Sequence, residues 1–294
     1  TVDDDTGATI EFTGYDLSTE TEFSGFTVYG TSKDVTSWAV IRISDGSPAV
    51  YNNSIHGSST ATRSVGVNIS GGSNAVVLIN DINATPVDET VSESYAVLVD
   101  QYSGFPIIIL NTIFGGNAST ESAGISLLLG EQAGADIYGN SVYSGSSSEG
   151  LTAGLIANTQ TGTSYPVYII NNTIIAGMAA NHRTAILNRN TASSYVYNNV
   201  FTCTLQSGVD AYGIDDSGTS GSAYFSTDIA RNCFDMYALN VGYDDNDSIA
   251  YNSAEDINGL PIASANVTTS PDFDSYEMFQ IQQTTDSAIA AGGI

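Results

Sequence analysis

The stretch YNNSIHG, residues 51–57, contains the pattern that decides the fold: Asn53 is followed two residues later by a large apolar residue, Ile55. The same pair recurs along the chain, and successive asparagines are 27, 31, 29, 32, 27 and 33 residues apart. A period that drifts around ~30 residues is typical of a solenoid, in which each repeat forms one turn. The asparagines are Asn53, Asn80, Asn111, Asn140, Asn172, Asn199 and Asn232, and their apolar partners are Ile55, Ile82, Ile113, Val142, Ile174, Phe201 and Phe234.

Each repeat has the layout of three short strands. In the repeat at residues 39–64, a first strand covers Ala39–Ile43, a second covers residues 48–52, and a third covers residues 54–57 after a bend at Asn53. Strict alternation places Ala39, Ile41 and Ile43 on one side of the first strand. We therefore predict an all-β fold: a right-handed single-stranded parallel β-helix with about eight or nine turns of ~30 residues.

The recurring asparagines face inward at the bend in this prediction. An inward asparagine can bond its side-chain amide to the asparagine of the turn above or below, which satisfies polar groups that the bend would otherwise leave buried. The sequence thus predicts a structural asparagine ladder and gives these residues no catalytic role.

The composition limits the partners and the compartment. The chain has 32 acidic and 6 basic residues, a formal charge of −26. Nucleic acid is excluded as a partner, because binding a phosphate backbone needs clustered cations. No apolar run approaches the ~20 residues of a transmembrane helix, so we expect no membrane insertion. An acidic, Gly- and Tyr-rich solenoid is expected to be secreted or exposed on a cell surface.

The repeats resemble the right-handed parallel β-helix proteins of the pectate-lyase-like superfamily. The resemblance is carried by YNNSIHG and by three similar stretches, and it covers roughly residues 8–235; the stretches are SGFTVYG at 24–30, INNTIIAG at 170–177 and YNNVF at 197–201. The C-terminal stretch from Ser270 resembles the ending of bacterial or archaeal surface β-helix repeat proteins. We therefore divide the chain into a parallel β-helix, residues 1–254, and a C-terminal capping segment, residues 255–294.

The resemblance implies a place for chemistry along the outside of the first strand, where lyases and hydrolases of that superfamily bind polysaccharide. Strict alternation predicts that the outward residues there form a flat stripe of small side chains. The stripe is either sheet packing beneath a loop or a smooth assembly face for another subunit or a flat glycan. Its residues are Gly66, Ala96, Gly124, Gly154, Ala185 and Gly213.

Aromatic side chains are predicted on the outside of the third strand. Tyr29, His56, Phe114 and Tyr143 each follow an inward apolar residue, so they point outward. An exposed column of rings could stack on sugars and is a candidate carbohydrate contact; a covering loop is the alternative.

Acidic residues near the end of the solenoid are the remaining candidates. Asp244, Asp245 and Asp247 offer hard oxygen ligands of the kind that Ca²⁺ prefers, and a solvated acidic loop is the alternative. Asp215 and Asp216 are adjacent, and adjacent strand residues point to opposite faces, which favours a turn-forming or cation-holding pair over a catalytic one. We assign no catalytic residue and no cofactor other than this Ca²⁺ candidate.

Two functions from different classes remain. The first is a non-enzymatic extracellular or cell-surface β-helix with a structural, adhesive or glycan-contacting role, which associates with itself through an open end or the flat stripe, or with other surface proteins or glycans. The alternative is a polysaccharide lyase or glycoside hydrolase of the superfamily that the repeats resemble.

Overall fold

A computed structural model of the chain describes residues 6–31, 35–85, 91–159, 165–189, 193–216, 226–245 and 249–269. Within these residues the chain is all-β apart from one short helix, and the strands stack in three sheets, A, B and C. A strand of sheet A is followed by one of sheet B and one of sheet C before the chain returns to sheet A. The predicted all-β parallel solenoid with three strands per turn is confirmed.

Sheet A contains the longest strands, of up to 17 residues. Its strands are parallel except for the last pair, which forms a hairpin. In spatial order they are β1 (Thr6–Thr13), β4 (Ser37–Ser44), β7 (Arg63–Gly71), β10 (Val91–Gly104), β13 (Asn117–Ala133), β17 (Leu151–Thr159), β21 (His182–Arg189), β24 (Ala211–Asp215), β27 (Val241–Asp244) and β28 (Ala250–Tyr251); in addition, β16 (Ser146–Ser147) pairs with β13, and β20 (Met178–Ala179) pairs with β16.

Sheets B and C consist of short strands on either side of the asparagine bend. Sheet B contains β2 (Glu22–Ser24), β5 (Ala49–Tyr51), β8 (Val76–Leu78), β11 (Ile107–Ile109), β14 (Ala135–Tyr138), β18 (Val167–Ile170), β22 (Ser194–Tyr197), β25 (Ser226–Ala230) and β29 (Ala263–Ser264). Sheet C contains β3 (Thr27–Tyr29), β6 (Ser54–His56), β9 (Asp81–Asn83), β12 (Thr112–Phe114), β15 (Ser141–Tyr143), β19 (Thr173–Ala176), β23 (Val200–Cys203), β26 (Cys233–Phe234) and β30 (Val267–Thr268).

The turns from β4 to β26 repeat one layout, and there are about seven of them, flanked by a first turn and by an irregular last turn. The predicted count of eight or nine is therefore approximate. Parallel pairing also passes the predicted boundary at residue 254, because β29 pairs with β25 and β30 pairs with β26. Residues 270–294 of the predicted capping segment lie outside the described residues.

The core is built of columns in which like residues stack on like. Ile113 pairs in register with Ile82 on one side and with Val142 on the other, and all three are at most 1% exposed. Sheet B repeats this arrangement at Ile108, which pairs with Val77 and Ile137. Because parallel strands lie ~4.8 Å apart, each buried side chain fills the space between its two copies in the neighbouring turns.

The recurring asparagines form a buried, hydrogen-bonded column at the bend between sheets B and C. The backbone N and the Nδ2 of Asn111 both donate to Oδ1 of Asn140, at 2.9 and 3.0 Å. The same Nδ2 donates to the carbonyl oxygens of Ile109 and Val77, at 3.0 and 2.9 Å. Asn53 to Asn232 repeat the bond to the next asparagine, and none of the seven is more than 4% exposed.

Two asparagines that the repeat pattern did not include extend this column. Asn232 donates to Asn266, and Asn266 donates through its N and Nδ2 to Oδ1 of Asn258. Asn258 is the last residue of the helix α1 (Ala254–Asn258), which begins at the N-cap Ser253. The helix thus supplies the end of the column, and its Ile257 is fully buried against the core.

The strands of sheet A depart from the predicted strict alternation. Ala39 belongs to an apolar cluster outside the sheet, whereas Val40, Ile41 and Ile43 all belong to the inner core. In each pairing the residue at the level of Val40 is skipped, so that Ala39 pairs with Val65 and Ile41 with Val67. Two consecutive inward residues require a local bend or bulge in the strand.

The predicted outward stripe of small residues is therefore wrong. Ala96 and Ala185 are fully buried in the inner core, and a Cβ on Gly124 would lie 2.4 Å from Cγ1 of the inward Val142. The stripe is small because the large apolar residues of sheet C press against it from inside. It presents no assembly face; its residues are Gly66, Ala96, Gly124, Gly154, Ala185 and Gly213.

Candidate functional site

The predicted carbohydrate contacts lie on the outer face of sheet C as two pairs of stacked rings. Tyr29 stacks on His56 with ring centroids 4.8 Å apart, and Phe114 stacks on Tyr143 at 4.9 Å. Asn83 lies between the pairs in the register. Stacking along the solenoid axis covers one face of each ring. Tyr29, in the first turn, is the most accessible of the four, with 65% of its surface exposed.

The outer face of sheet A, where a polysaccharide would lie in the enzymes that the repeats resemble, is closed by the protein's own side chains. Leu98, Ile156 and Leu187 occupy one outward register position on β10, β17 and β21 but are only 6%, 2% and 2% exposed. Ser126 of β13 holds the position between Leu98 and Ile156. The three apolar residues form a cluster separate from the inner core, together with Ala39, Val65, Tyr95, Ala123 and Ala153.

Ion pairs border this outer cluster. Arg63 Nε lies 2.5 Å from Glu93 Oε2, and the Tyr95 hydroxyl donates to Glu121 Oε1 at 2.9 Å. Burial raises the pKa of Tyr95, and the nearby carboxylates raise it further. The space left between these groups is about 70 Å³. Ligand sites begin at ~300 Å³, so a sugar ring does not fit here without movement of the lining side chains.

A cluster of titratable groups lies at the far end of the same face. His182 Nε2 is 2.8 Å from Asp215 Oδ2, and the His182 ring stacks on Tyr212 with centroids 4.9 Å apart. Asp215 pairs in register with Asp244 of the next turn. Burial, and next the carboxylate of Asp215, raise the pKa of Asp244 to about 6. Sequence reasoning did not find this cluster, because His182 and Asp215 are 33 positions apart.

Asp215 and Asp216 point to opposite sides, as expected of adjacent strand residues. Asp216 is fully buried and accepts hydrogen bonds from Asn188 Nδ2 at 2.6 Å and from the Tyr243 hydroxyl at 2.7 Å. Its role is structural, because both of these donors are themselves in the interior.

The predicted Ca²⁺ ligands are divided in the structure. Asp244 lies on sheet A, whereas Asp245 closes a loop by accepting from the Ile249 N–H at 3.0 Å and from the Tyr251 hydroxyl at 3.2 Å. Asp247 lies outside the described residues. Among the residues that the structure describes, no group of three His, Cys, Asp or Glu side chains is arranged to hold a metal ion. Ca²⁺ binding stays a prediction.

A second column, immediately before the asparagines, has an unusual backbone. The residue before each asparagine from Asn53 to Asn232, and before Asn266, has a left-handed conformation with φ between 52° and 63°. Asparagine and glycine adopt this conformation most readily. They occupy four of the eight positions, Asn52, Gly139, Asn171 and Asn198; the others are Ile79, Leu110, Arg231 and Ala265.

Three exposed apolar residues at this bend form what we call the apolar ridge: Phe26, Ile79 and Leu110. They are 54%, 55% and 55% exposed. Sequence reasoning missed them. The available signal was the loss of the usual Asn or Gly before the column asparagine in Ile79-Asn80 and Leu110-Asn111.

Cys203 and Cys233 are buried thiols that are not bonded to each other. Cys203 lies in the inner core, and Cys233 belongs to an outer cluster with Val200. Burial raises the pKa of the Cys203 thiol to about 11, so it is unreactive at neutral pH.

Comparisons with protein-family models, with curated proteins and with solved structures found no match. No helix in the described part of the chain is long and apolar enough to cross a membrane. Any conclusion about function must therefore come from the geometry of the outer faces.

Proposed function

We propose that the chain is a non-enzymatic, secreted or cell-surface β-solenoid with a structural or adhesive role, which contacts glycans or other surface proteins through its outer side-chain columns. The closed outer face of sheet A carries this proposal. An enzyme that cleaves a polymer needs an open cleft with accessible acids and bases, whereas Ile156 and Leu187, each 2% exposed, fill that place here.

The glycan-contacting part of the proposal rests on the stacked rings of sheet C. Tyr29 offers an exposed ring at one end of the pair that it forms with His56. Aromatic rings bind the apolar faces of sugars, so replacement of Tyr29 by alanine is expected to weaken retention on any polysaccharide that the protein binds. Phe114 and Tyr143 form the second, less exposed contact.

The test is an incubation of the protein with acidic and neutral polysaccharides, followed by two readings. We expect no new reducing ends and no unsaturated ends, together with binding to at least one polysaccharide or to a cell surface. Release of either kind of end would overturn the proposal, and so would the absence of binding to every surface tested.

A second candidate function is polysaccharide hydrolysis, and the cluster of His182, Asp215 and Asp244 favours it. Glycoside hydrolases use two carboxyl groups, of which the general acid has a raised pKa. Asp244 has this property, with a pKa of about 6, and Asp215 is its neighbour in the preceding turn. If the incubation releases reducing ends, Asp244→Asn must abolish the release for this candidate to hold.

A further inference from the structure

Ile79 and Leu110 of the apolar ridge lower the stability of the isolated chain in two ways. A left-handed conformation in a non-glycine residue costs roughly 1–2 kcal/mol, and Ile79 is β-branched, which makes it a genuine outlier at φ 52°. The Ile79 side chain is also 55% exposed to water, so it does not gain the free energy of burial in the core. Asn52, Asn171 and Asn198 show that the same bend accepts a residue without either cost.

Ile79 and Leu110, the two left-handed apolar residues, are neighbours in the column. Ile79 and Leu110 occupy neighbouring turns, so their backbones lie ~4.8 Å apart. Leu110 extends over Gly139 of the following turn, where a Cβ would be 2.9 Å from its Cδ2. A hollow of about 360 Å³ joins Ile79 to Phe26. Ile79 and Leu110 therefore form one apolar surface, and Phe26 lies across the hollow from it, with Asn52 of the intervening turn also lining the hollow.

The charged side chain that lines the hollow of the ridge is acidic. Asp81 lines the same hollow and is exposed, and no basic residue lines it. Of the arginines that the structure describes, Arg42, Arg63, Arg183 and Arg189 are on strands of sheet A. The fifth, Arg231, is four turns beyond Leu110 on the same bend.

We propose that the apolar ridge is the docking site for a cationic amphipathic polypeptide segment, whose apolar side chains cover Phe26, Ile79 and Leu110 while its Lys or Arg residues face Asp81 and the acidic protein around it. Charge decides the occupant. A second copy of this chain would bring a further formal charge of −26 to a surface that is already acidic. This inference rests on the proposed adhesive role and specifies one partner for it.

The experiment measures binding of a short fluorescent peptide of alternating leucine and lysine to the full chain. Against the unmodified protein we compare the double variant Ile79→Asn/Leu110→Asn, which keeps the left-handed backbone and removes the apolar surface. The matched control is Asn171→Gly/Asn198→Gly, which changes the same column away from the ridge. Thermal melting accompanies each variant, and the double variant is expected to melt no lower than the unmodified protein.

We expect the unmodified protein and the control to bind the peptide equally, and the double variant to bind at least about tenfold more weakly, since two apolar contacts are lost. A peptide of alternating serine and lysine should also bind at least about tenfold more weakly. If the double variant binds the peptide as tightly as the unmodified protein, the apolar side chains do not contribute to binding, and the proposal is overturned. Absence of binding to the unmodified protein, or a dimer that only the double variant loses in sedimentation, would overturn it as well.

These outcomes are separate from those that test the proposed function. Failure of the peptide to bind removes the ridge as a docking site and leaves the glycan contacts of sheet C standing. Cleavage of a polysaccharide would remove the non-enzymatic role without changing the affinity of the ridge for the peptide.

Discussion

Two neighbouring columns of residues at the bend between sheets B and C differ in how many residue types they accept. In the column from Asn53 to Asn232 every residue is an asparagine, and every one is buried. In the column immediately before it, the conformation is constant but the residues are Asn, Gly, Ile, Leu, Arg and Ala. The inner column is fixed by side-chain hydrogen bonds that only an amide can make at once. The outer column is fixed by its backbone alone.

The inner column is therefore constrained by folding, whereas the side chains of the outer column are free to vary with function. An inner residue donates to and accepts from its neighbours, so a substitution leaves several buried groups without partners. An outer residue has only to tolerate a left-handed backbone, and its side chain points to solvent. An apolar residue in the outer column is therefore more informative about contacts than any residue in the inner column.

The strongest test of this comparison is Asn111→Ala. The alanine keeps the backbone bond to Asn140 but loses the Nδ2 bonds to Asn140, Val77 and Ile109. It also leaves the backbone N–H of Asn80 without its acceptor and removes one of the acceptors of Asn80 Nδ2. We expect a loss of about 3–5 kcal/mol in the free energy of unfolding, measured by denaturant titration. The control is Asn171→Ala in the outer column, where only the left-handed conformation opposes alanine and the loss should be about 1 kcal/mol. Equal losses would remove the distinction between the columns.

The second test concerns the orientation of the small-residue stripe in sheet A. A methyl group on Gly124 meets the side chain of Val142 and the backbone oxygen of Gly154, 2.4 and 2.8 Å away. Gly124→Ala should therefore lower the free energy of unfolding by about 1–3 kcal/mol. Ser126→Ala, on the outer side of the same strand, should change it by less than about 0.5 kcal/mol. A tolerated Gly124→Ala would restore the outward stripe that the sequence predicted.

The third test uses the apolar ridge as a stability probe. Ile79→Asn places a residue that favours the left-handed region at φ 52°, so the protein should gain about 1 kcal/mol in the free energy of unfolding. Thermal and denaturant unfolding both report this gain. Destabilisation would mean that Ile79 contributes to folding, and its exposure would then no longer indicate a contact with a partner.

The smallest expected effect concerns Asp244. Its pKa is raised in the folded protein to about 6, mainly by burial and then by Asp215 and Asp245, with His182 opposing. The folded state therefore holds this proton more tightly than the unfolded chain, so the stabilising contribution is complete below about pH 4 and is lost as the pH rises through 6. Asp244→Asn should stabilise by under about 1 kcal/mol at pH 7, because the site is partly exposed, and by nothing at pH 4. A gain that is the same at both pH values would contradict this assignment.

The fold could be predicted because the residues that recur in the sequence are the ones that the buried core requires. Asn and a large apolar residue two positions later, as in Asn53 and Ile55, appear in every regular turn. Alternation predicted the faces of Ile41 and Ile43 but not those of Ala39 and Val40, because the skipped residue at the level of Val40 turns Val40 inward and Ala39 outward. The end of the asparagine column was missed because Asn266 is followed by Thr268 instead of an apolar residue.

The outer surfaces were less predictable for a different reason. Stacking of Tyr29 on His56 follows from matching positions in consecutive turns, and a repeat alignment reveals it. The contact of His182 with Asp215 joins unlike positions of two turns, so no period in the sequence indicates it. The exposure of Ile79 and Leu110 depends on the backbone of the bend, which a pattern of apolar residues does not encode.

The asparagine column has a consequence for how such a molecule changes its length. Each amide bonds within its own turn and to the turns on either side, always in the same direction, so the column is modular. Removal of one whole turn, from Asn111 to the residue before Asn140, would bring Asn80 against an identical partner. Loss of half a turn would instead misalign donors and acceptors along the column. Solenoids of this kind are therefore expected to grow or shrink in increments of one complete turn, with the reach of the rod adjusted in steps of ~4.8 Å.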